Sequence, residues 1–165
     1  MKVEKGGRGS PGRKRRTWRR MDWKREAAEK LKCYEMKKGS LERTEQELLR
    51  LEEAFRRIRS ARPDQEPLKG GGSRYEEQLV DNIAQRGELR QARREAARWV
   101  HIMDGALEAL EEEERRILDR FFIHRTQESV ELLCQELCLE RSRVYERKEK
   151  ALKRFTLALY GVLEN

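Results

Sequence analysis

The residues best suited to a chemical task lie between positions 141 and 150. Their side chains are cationic, hydroxyl-bearing or acidic: Arg141, Ser142, Arg143, Tyr145, Glu146, Lys148 and Lys150. Arginine can pair with guanine in the major groove of DNA, and a carboxylate can accept from a cytosine amino group. Basic side chains also bind phosphates. We interpret this set as a candidate site for double-stranded DNA; a solvated, lysine-rich helix face is the alternative.

Two apolar stripes predict the elements that must position this set. The first has the i, i+3, i+4, i+7 spacing of one helix face, with Val130, Leu133, Cys134 and Leu137. The second follows a corner at Leu139 and consists of Val144, Ala151, Leu152 and Phe155. Two short helices over 129–155, the second one basic, fit a helix-turn-helix whose second helix enters the major groove.

The composition predicts an all-α chain. Charged residues make up 42% and hydrophobic residues 36% of the 165, with 3 prolines, which is typical of long helices or coiled coil. The net charge is +8, and residues 1–20 hold nine basic residues against one acidic residue. We therefore expect a disordered basic tail over 1–21. It either contacts phosphates or only improves solubility.

Long helices are predicted for 22–104, with a Pro/Gly linker at 61–73. Asp22 is a candidate N-cap, Trp23 is expected to pack on the first helix, and Gly39-Ser40 should interrupt the helical pattern. The inward groups expected on the first helix are Ala27, Leu31, Tyr34 and Met36. A heptad-like seam follows, with Leu41, Thr44, Leu48, Leu51, Phe55 and Ile58.

A second long helix is predicted from 75 to about 103. Asp104-Gly105 marks an expected bend into a C-terminal DNA-binding domain over 105–165. The two long helices could fold back as a helical hairpin within one chain, or pair between chains in a homo-oligomer. The sequence leaves both arrangements open.

Catalytic, metal and cofactor sites are not expected. The two histidines, His101 and His124, have no Ser/His/Asp arrangement around them, and no phosphate-binding loop is present. The cysteines (Cys33, Cys134 and Cys138) lack the further ligands that a zinc site needs. Because catalytic motifs are lacking, we do not expect an enzyme. Because the sequence shows no signal peptide and no long apolar span, we expect a cytoplasmic protein that does not enter a membrane.

From Leu110 onwards the chain resembles region four of bacterial sigma factors. The residues that carry the resemblance are Leu110, Glu114, Arg115, Ile117, Leu118, Phe121, Val130, Leu133, Leu137, Leu139, Arg141, Arg143, Val144, Ala151 and Leu152. The ending SRVYERKEKALKRF looks most like phage and prophage transcriptional regulators of the RinA/ArpU type. Tyr34, the linker around 67–73 and the helix after it are also similar to that group. The resemblance covers about 31–155.

The resemblance implies roles for individual residues. Arg141 and Ser142 correspond to groove-facing positions at the start of the recognition helix, Glu146 to a later base-facing position and Tyr145 to a surface position. Arg143, Lys148 and Lys150 are better placed as phosphate contacts. The chain departs from the family pattern at three positions, which carry Glu140 where Ser or Thr is usual, Cys138 where a small residue is usual, and Arg147 where an apolar residue is usual.

The function implied is sequence-specific transcription regulation, with activation of phage late or morphogenesis genes. Double-stranded DNA would be the main partner, and host RNA polymerase a second one. Two alternatives remain from the sequence: a DNA-packaging protein like a small terminase subunit, and a helical scaffold that does not bind DNA.

Overall fold

A computed structural model describes residues 22–60 and 74–162, and all regular elements in these ranges are helical. The helices are α1 (Trp23–Lys32), α2 (Tyr34–Ser60), α3 (Arg74–Glu108), α4 (Glu112–Leu118), α5 (Ser129–Leu137) and α6 (Arg141–Tyr160). A π-helical segment, Asp119–Ile123, continues from α4. The all-α prediction is confirmed for this part of the chain. The predictions for the tail 1–21 and the linker 61–73 lie outside the described residues.

The first two helices meet earlier than the sequence predicted. Asp22 does cap α1, since its carboxylate accepts from the backbone N–H of Arg25 at 2.9 Å. The break comes at Cys33, however, and α2 runs through Gly39 and Ser40. The Ser40 hydroxyl donates to the carbonyl oxygen of Lys37 at 2.6 Å. The predicted interruption is therefore wrong, because Ser40 bonds back into its own helix instead of capping a new one.

Helices α2 and α3 form an antiparallel hairpin within the chain. Asn82 donates to the carbonyl oxygen of Leu51 at 2.9 Å, while the guanidinium of Arg93 lies 3.3 Å from Glu45. Later residues of α3 thus meet earlier residues of α2. Of the two arrangements left open by the sequence, the structure shows the intramolecular one.

The predicted bend at Asp104-Gly105 is wrong, because α3 continues through both residues to Glu108. Asp104 accepts a hydrogen bond from the hydroxyl of Tyr34. Burial and this hydrogen bond both raise the pKa of Tyr34, so the phenol stays protonated as the donor. The last turns of α3 are held by packing, which outweighs the weak helix propensity of one glycine.

The main core joins the two ends of the described chain. It consists of Ala27, Leu31, Tyr34, Val100, Met103, Ala106, Leu110, Leu118, Ala151, Leu152 and Phe155. The ring of Trp23, the first residue of α1, lies 4.8 Å from that of Tyr160 and so contacts α6. Met36 was expected to point inward and is 63% exposed. Helix α1 therefore packs against α6, although the two are far apart in the sequence.

A smaller cluster fixes the first half of α6. Ile117, Leu133 and Val144 come from α4, α5 and α6, and each is fully buried. Partly buried side chains surround them, namely Phe121, Cys134, Leu137 and Leu139. The first predicted stripe, except for Val130, thus meets Val144 of the second stripe here, with α4 as the third partner, whereas the rest of the second stripe belongs to the main core.

Candidate nucleic-acid interface

A short turn sets the direction in which α6 leaves α5. Cys138 has φ 52°, and it is the non-glycine residue with positive φ in the described ranges. This left-handed conformation is the one that favours glycine after a helix, because it crowds Cβ. Glu140 precedes α6 without a capping side-chain hydrogen bond, as expected for a residue that caps poorly. The turn before α6 thus combines a residue in the left-handed conformation with a helix start that no side chain caps.

One face of α6 is exposed along its first half. Burial of Val144 and Ala151 fixes the rotation of the helix, and residues advance by about 100° each around its axis. Of the seven predicted residues, four lie away from this buried side and are exposed, namely Ser142, Arg143, Glu146 and Lys150. These four residues form what we call the outer face.

The outer face contains one ion pair and one cation without such a partner. Arg143 donates to Glu146 at 2.8 Å, and both side chains are about two-thirds exposed, at 67% and 64%. Lys150 makes no ion pair with any residue of the described ranges. The face therefore presents a hydroxyl, a guanidinium, a carboxylate and an ammonium to solvent.

The other three predicted residues lie on the flank of α6 that faces α5 and the π-helical segment. Arg141 is 3.4 Å from Glu131 of α5. The ring of Tyr145 packs edge-on against Phe121 at 5.5 Å. The structure thus divides the seven predicted residues into two groups, four on the outer face and three on this flank.

Lys148 is the predicted residue whose surroundings differ most from the expectation. Its side chain is only 20% exposed, and its ammonium lies 5.5 Å from the ring centre of Phe121 and 2.9 Å from Glu149. The hydrogen bond from Lys148 holds the pKa of Glu149 below its usual range. Lys148 is thus occupied by contacts within the chain, whereas a phosphate contact needs an accessible ammonium.

Basic residues that sequence reasoning missed line the groove beside this flank. Arg120 and Arg125 border it together with Arg141 and Lys148. Arg120 is bonded to Glu136 of α5 at 3.1 Å. These arginines come from the segment between α4 and α5, so no periodicity within α6 could have identified them.

On the opposite flank, an acidic cluster of α4 holds α6. Arg147 bonds to Glu113 at 2.8 Å, and Arg154 lies 2.9 Å from both Glu111 and Glu114. The hydrogen bond and the charge of Arg154 lower the pKa of Glu111. The acidic run 111–114 therefore positions α6 through the ion pairs of Arg147 and Arg154.

Other observations do not add a competing site. Within 22–60 and 74–162, no group of three or more His, Cys, Asp or Glu side chains could hold a metal ion. The same ranges contain no helix that is long and apolar enough to cross a membrane. Comparison with known proteins found no matching family model, no similar curated protein and no similar solved structure. The interpretation of this region as a candidate nucleic-acid interface therefore depends on the geometry of α6 alone.

Proposed function

We propose that the chain binds double-stranded DNA in a sequence-specific manner, with the outer face of α6 in the major groove. The observation that carries the proposal is the contrast between the two sides of this helix. Ser142, Arg143, Glu146 and Lys150 are exposed on one side. On the other side Val144 and Phe155 are fully buried. A firmly anchored helix with a free polar face is what direct reading of base edges requires.

The dimensions of α6 fit the groove. An α-helix with its side chains is about 10–12 Å wide, and the major groove of B-DNA is about 12 Å wide. Four residues of the outer face lie within about three turns of the helix, so they can meet neighbouring base pairs. Because α5 crosses α6 near its start, it would lie over the sugar-phosphate backbone.

The roles that we propose for Arg143 and Arg141 differ from those expected from the sequence, where Arg143 was a phosphate contact and Arg141 faced the bases. Arg143 and Glu146 lie together on the outer face, so we assign both to base edges, guanine for the guanidinium and a cytosine amino group for the carboxylate. Ser142 neighbours them, and Lys150 is placed for a phosphate. Arg141 lies on the flank next to α5, and we assign it to the backbone instead of a base.

The experiment is a titration of the full chain with duplexes selected from a random pool, followed by fluorescence anisotropy. Arg143→Ala should weaken binding to the selected duplex by about 1–3 kcal/mol and relax the preference at one position. Lys150→Ala should weaken binding to the selected duplex and to a random duplex by the same factor. Arg50→Ala is the matched control, because Arg50 is an exposed, ion-paired arginine of α2.

The result that contradicts the proposal is equal binding by the Arg143→Ala and Arg50→Ala variants. We further propose that the bound DNA lies upstream of genes whose transcription the protein regulates, with RNA polymerase as a second partner. Support for this step comes from the resemblance to sigma region four and to phage regulators. Transcription from a template with the selected site, with and without the protein, tests it.

A further inference from the structure

Most basic side chains in the first two-thirds of α6 already have a carboxylate partner in the same chain. Seven basic residues lie between Arg141 and Arg154, and five of them are within 3.4 Å of an acidic oxygen. Lys150 and Lys153 have no such partner among the described residues. The helix proposed to bind a polyanion is therefore largely neutralised in the free protein.

Two of these ion pairs lie where DNA would contact the protein. The Arg141–Glu131 pair joins α6 to α5, with side chains 67% and 55% exposed. The Arg143–Glu146 pair lies within the outer face. The pairs of Arg147 and Arg154 are on the opposite flank, against α4. The fifth pair joins the largely covered Lys148 to its neighbour Glu149.

The two pairs contribute little to the stability of the fold. Exposed ion pairs of this kind are screened by water and salt, and holding two long side chains together costs conformational entropy. Their effect on DNA binding is larger, because affinity for arbitrary DNA comes from cations that replace the counterions of phosphates. A guanidinium already neutralised by a carboxylate replaces fewer counterions, and the carboxylate itself repels the phosphate.

We infer that Glu131 and Glu146 are specificity-determining residues that suppress binding to arbitrary DNA. On a non-cognate duplex, both carboxylates lie close to phosphates, and no base-edge hydrogen bonds compensate for the repulsion. On the cognate duplex, base-edge hydrogen bonds to Arg143 and Glu146 offset the loss of their mutual pair. The inference rests on the proposed binding of DNA by α6, and it assigns a role to Glu131, which no sequence pattern indicated.

The test compares Glu131→Gln and Glu146→Gln with two controls in the full chain. Glu47→Gln and Glu112→Gln also remove one exposed, ion-paired carboxylate, but on α2 and α4. All four variants raise the net charge by one. Dissociation constants are measured for a random duplex and for the selected duplex over a range of salt concentrations.

We expect Glu131→Gln and Glu146→Gln to tighten binding to the random duplex by about three- to tenfold, with a salt slope steeper by about 0.9 for each freed cation. The ratio of random to selected dissociation constants should fall for both. The gain of Glu131→Gln should become smaller when Arg141→Gln is added, because the freed guanidinium is then absent and only the loss of the carboxylate's repulsion remains.

Two failures are distinguishable. If the wild-type chain prefers a selected duplex, but Glu131→Gln and Glu146→Gln bind random DNA no better than the two controls, the role of the carboxylates is wrong and the proposed function stands. If the wild-type chain binds no duplex at low salt, the proposed function itself is wrong, and the inference falls with it.

Discussion

The α2–α3 hairpin and the C-terminal core are packed in different ways. Along the hairpin seam, Leu48, Leu51 and Phe55 are only partly buried. In the core, Leu31 and Phe155 are fully buried. In the hairpin, one face of a helix packs mainly against one other helix, whereas the buried side of α6 packs against α1, α3, α4 and α5. The helix proposed to contact DNA is therefore held in the most tightly packed part of the described chain.

Buried polar groups show the same difference. Asn82 lies in the hairpin seam, where its amide nitrogen is bonded to α2, but its side-chain oxygen has no partner among the described residues. In the core, Thr156 donates to the carbonyl oxygen of Leu152 at 2.7 Å. An amide in a helical seam fixes the register at some expense of stability. The hairpin thus favours defined alignment, and the core favours tight packing.

The largest expected effect is the loss of the central aromatic side chain of the core. Phe155→Ala should lower the free energy of unfolding by about 3–5 kcal/mol, because it leaves a cavity in an enclosed site. Phe55→Ala is the matched change in the hairpin and should lower it by clearly less, since Phe55 is partly exposed. Urea denaturation measures both. Equal losses would show that the two regions do not differ in packing.

Next in size is the removal of Arg154, which connects α6 to α4. Arg154→Ala deprives the carboxylate of Glu114, whose side chain is only 10% exposed, of its cationic partner. We expect a loss of about 1–3 kcal/mol in the free energy of unfolding, because a nearly buried acceptor loses a partner. Arg116→Ala, which breaks the exposed pair with Glu112, is the control. A change as small as that of the control would mean that the ion pairs of Arg154 do not hold α6 against α4.

A smaller effect of opposite sign is expected at the turn between α5 and α6. Cys138→Gly should raise the free energy of unfolding by about 1 kcal/mol, because glycine adopts the left-handed conformation without crowding of Cβ. Thermal unfolding of the two proteins measures this difference. Destabilisation by the glycine would indicate that contacts of the Cys138 side chain outweigh its backbone strain.

The smallest effect is a dependence of stability on pH. Arg154 lowers the pKa of Glu111, and Lys148 lowers that of Glu149, from the ordinary value of 4.5. The stabilisation by these pairs is present above that value and is lost as the pH falls through the lowered pKa. We therefore expect the melting temperature to decrease as the pH is lowered from 4.5. In the Arg154→Ala variant, the part of this fall that comes from Glu111 should be absent.

Local patterns predicted the helices but not their contacts. The stripes of α5 and α6 were recognisable because each lies within one helix and repeats every three to four residues. The interruption at Gly39-Ser40 and the bend at Asp104-Gly105 were wrong, because glycine in a helix costs only about 1 kcal/mol, which tertiary packing exceeds. Local helix propensity gives no information on the stabilisation by tertiary packing, so it could not show that these helices continue.

The ion pairs of α6 were beyond prediction for a related reason. Arg147 and Glu113 are 34 residues apart, and Arg141 and Glu131 are 10 apart, so their contact depends on how three helices pack. All seven predicted site residues lie on α6, as expected. Their division into an outer face and a flank follows only from the rotation of the helix, which the buried residues determine.

The most direct test of the central claim is the mapping of backbone amide NMR shifts while a selected duplex is added to the full chain. The proposed interface predicts the largest changes at Ser142, Arg143, Glu146 and Lys150, with the α2–α3 hairpin unaffected. Changes centred on the hairpin, or no changes on α6 at a concentration where the duplex is bound, would contradict the assignment of the outer face of α6 to DNA.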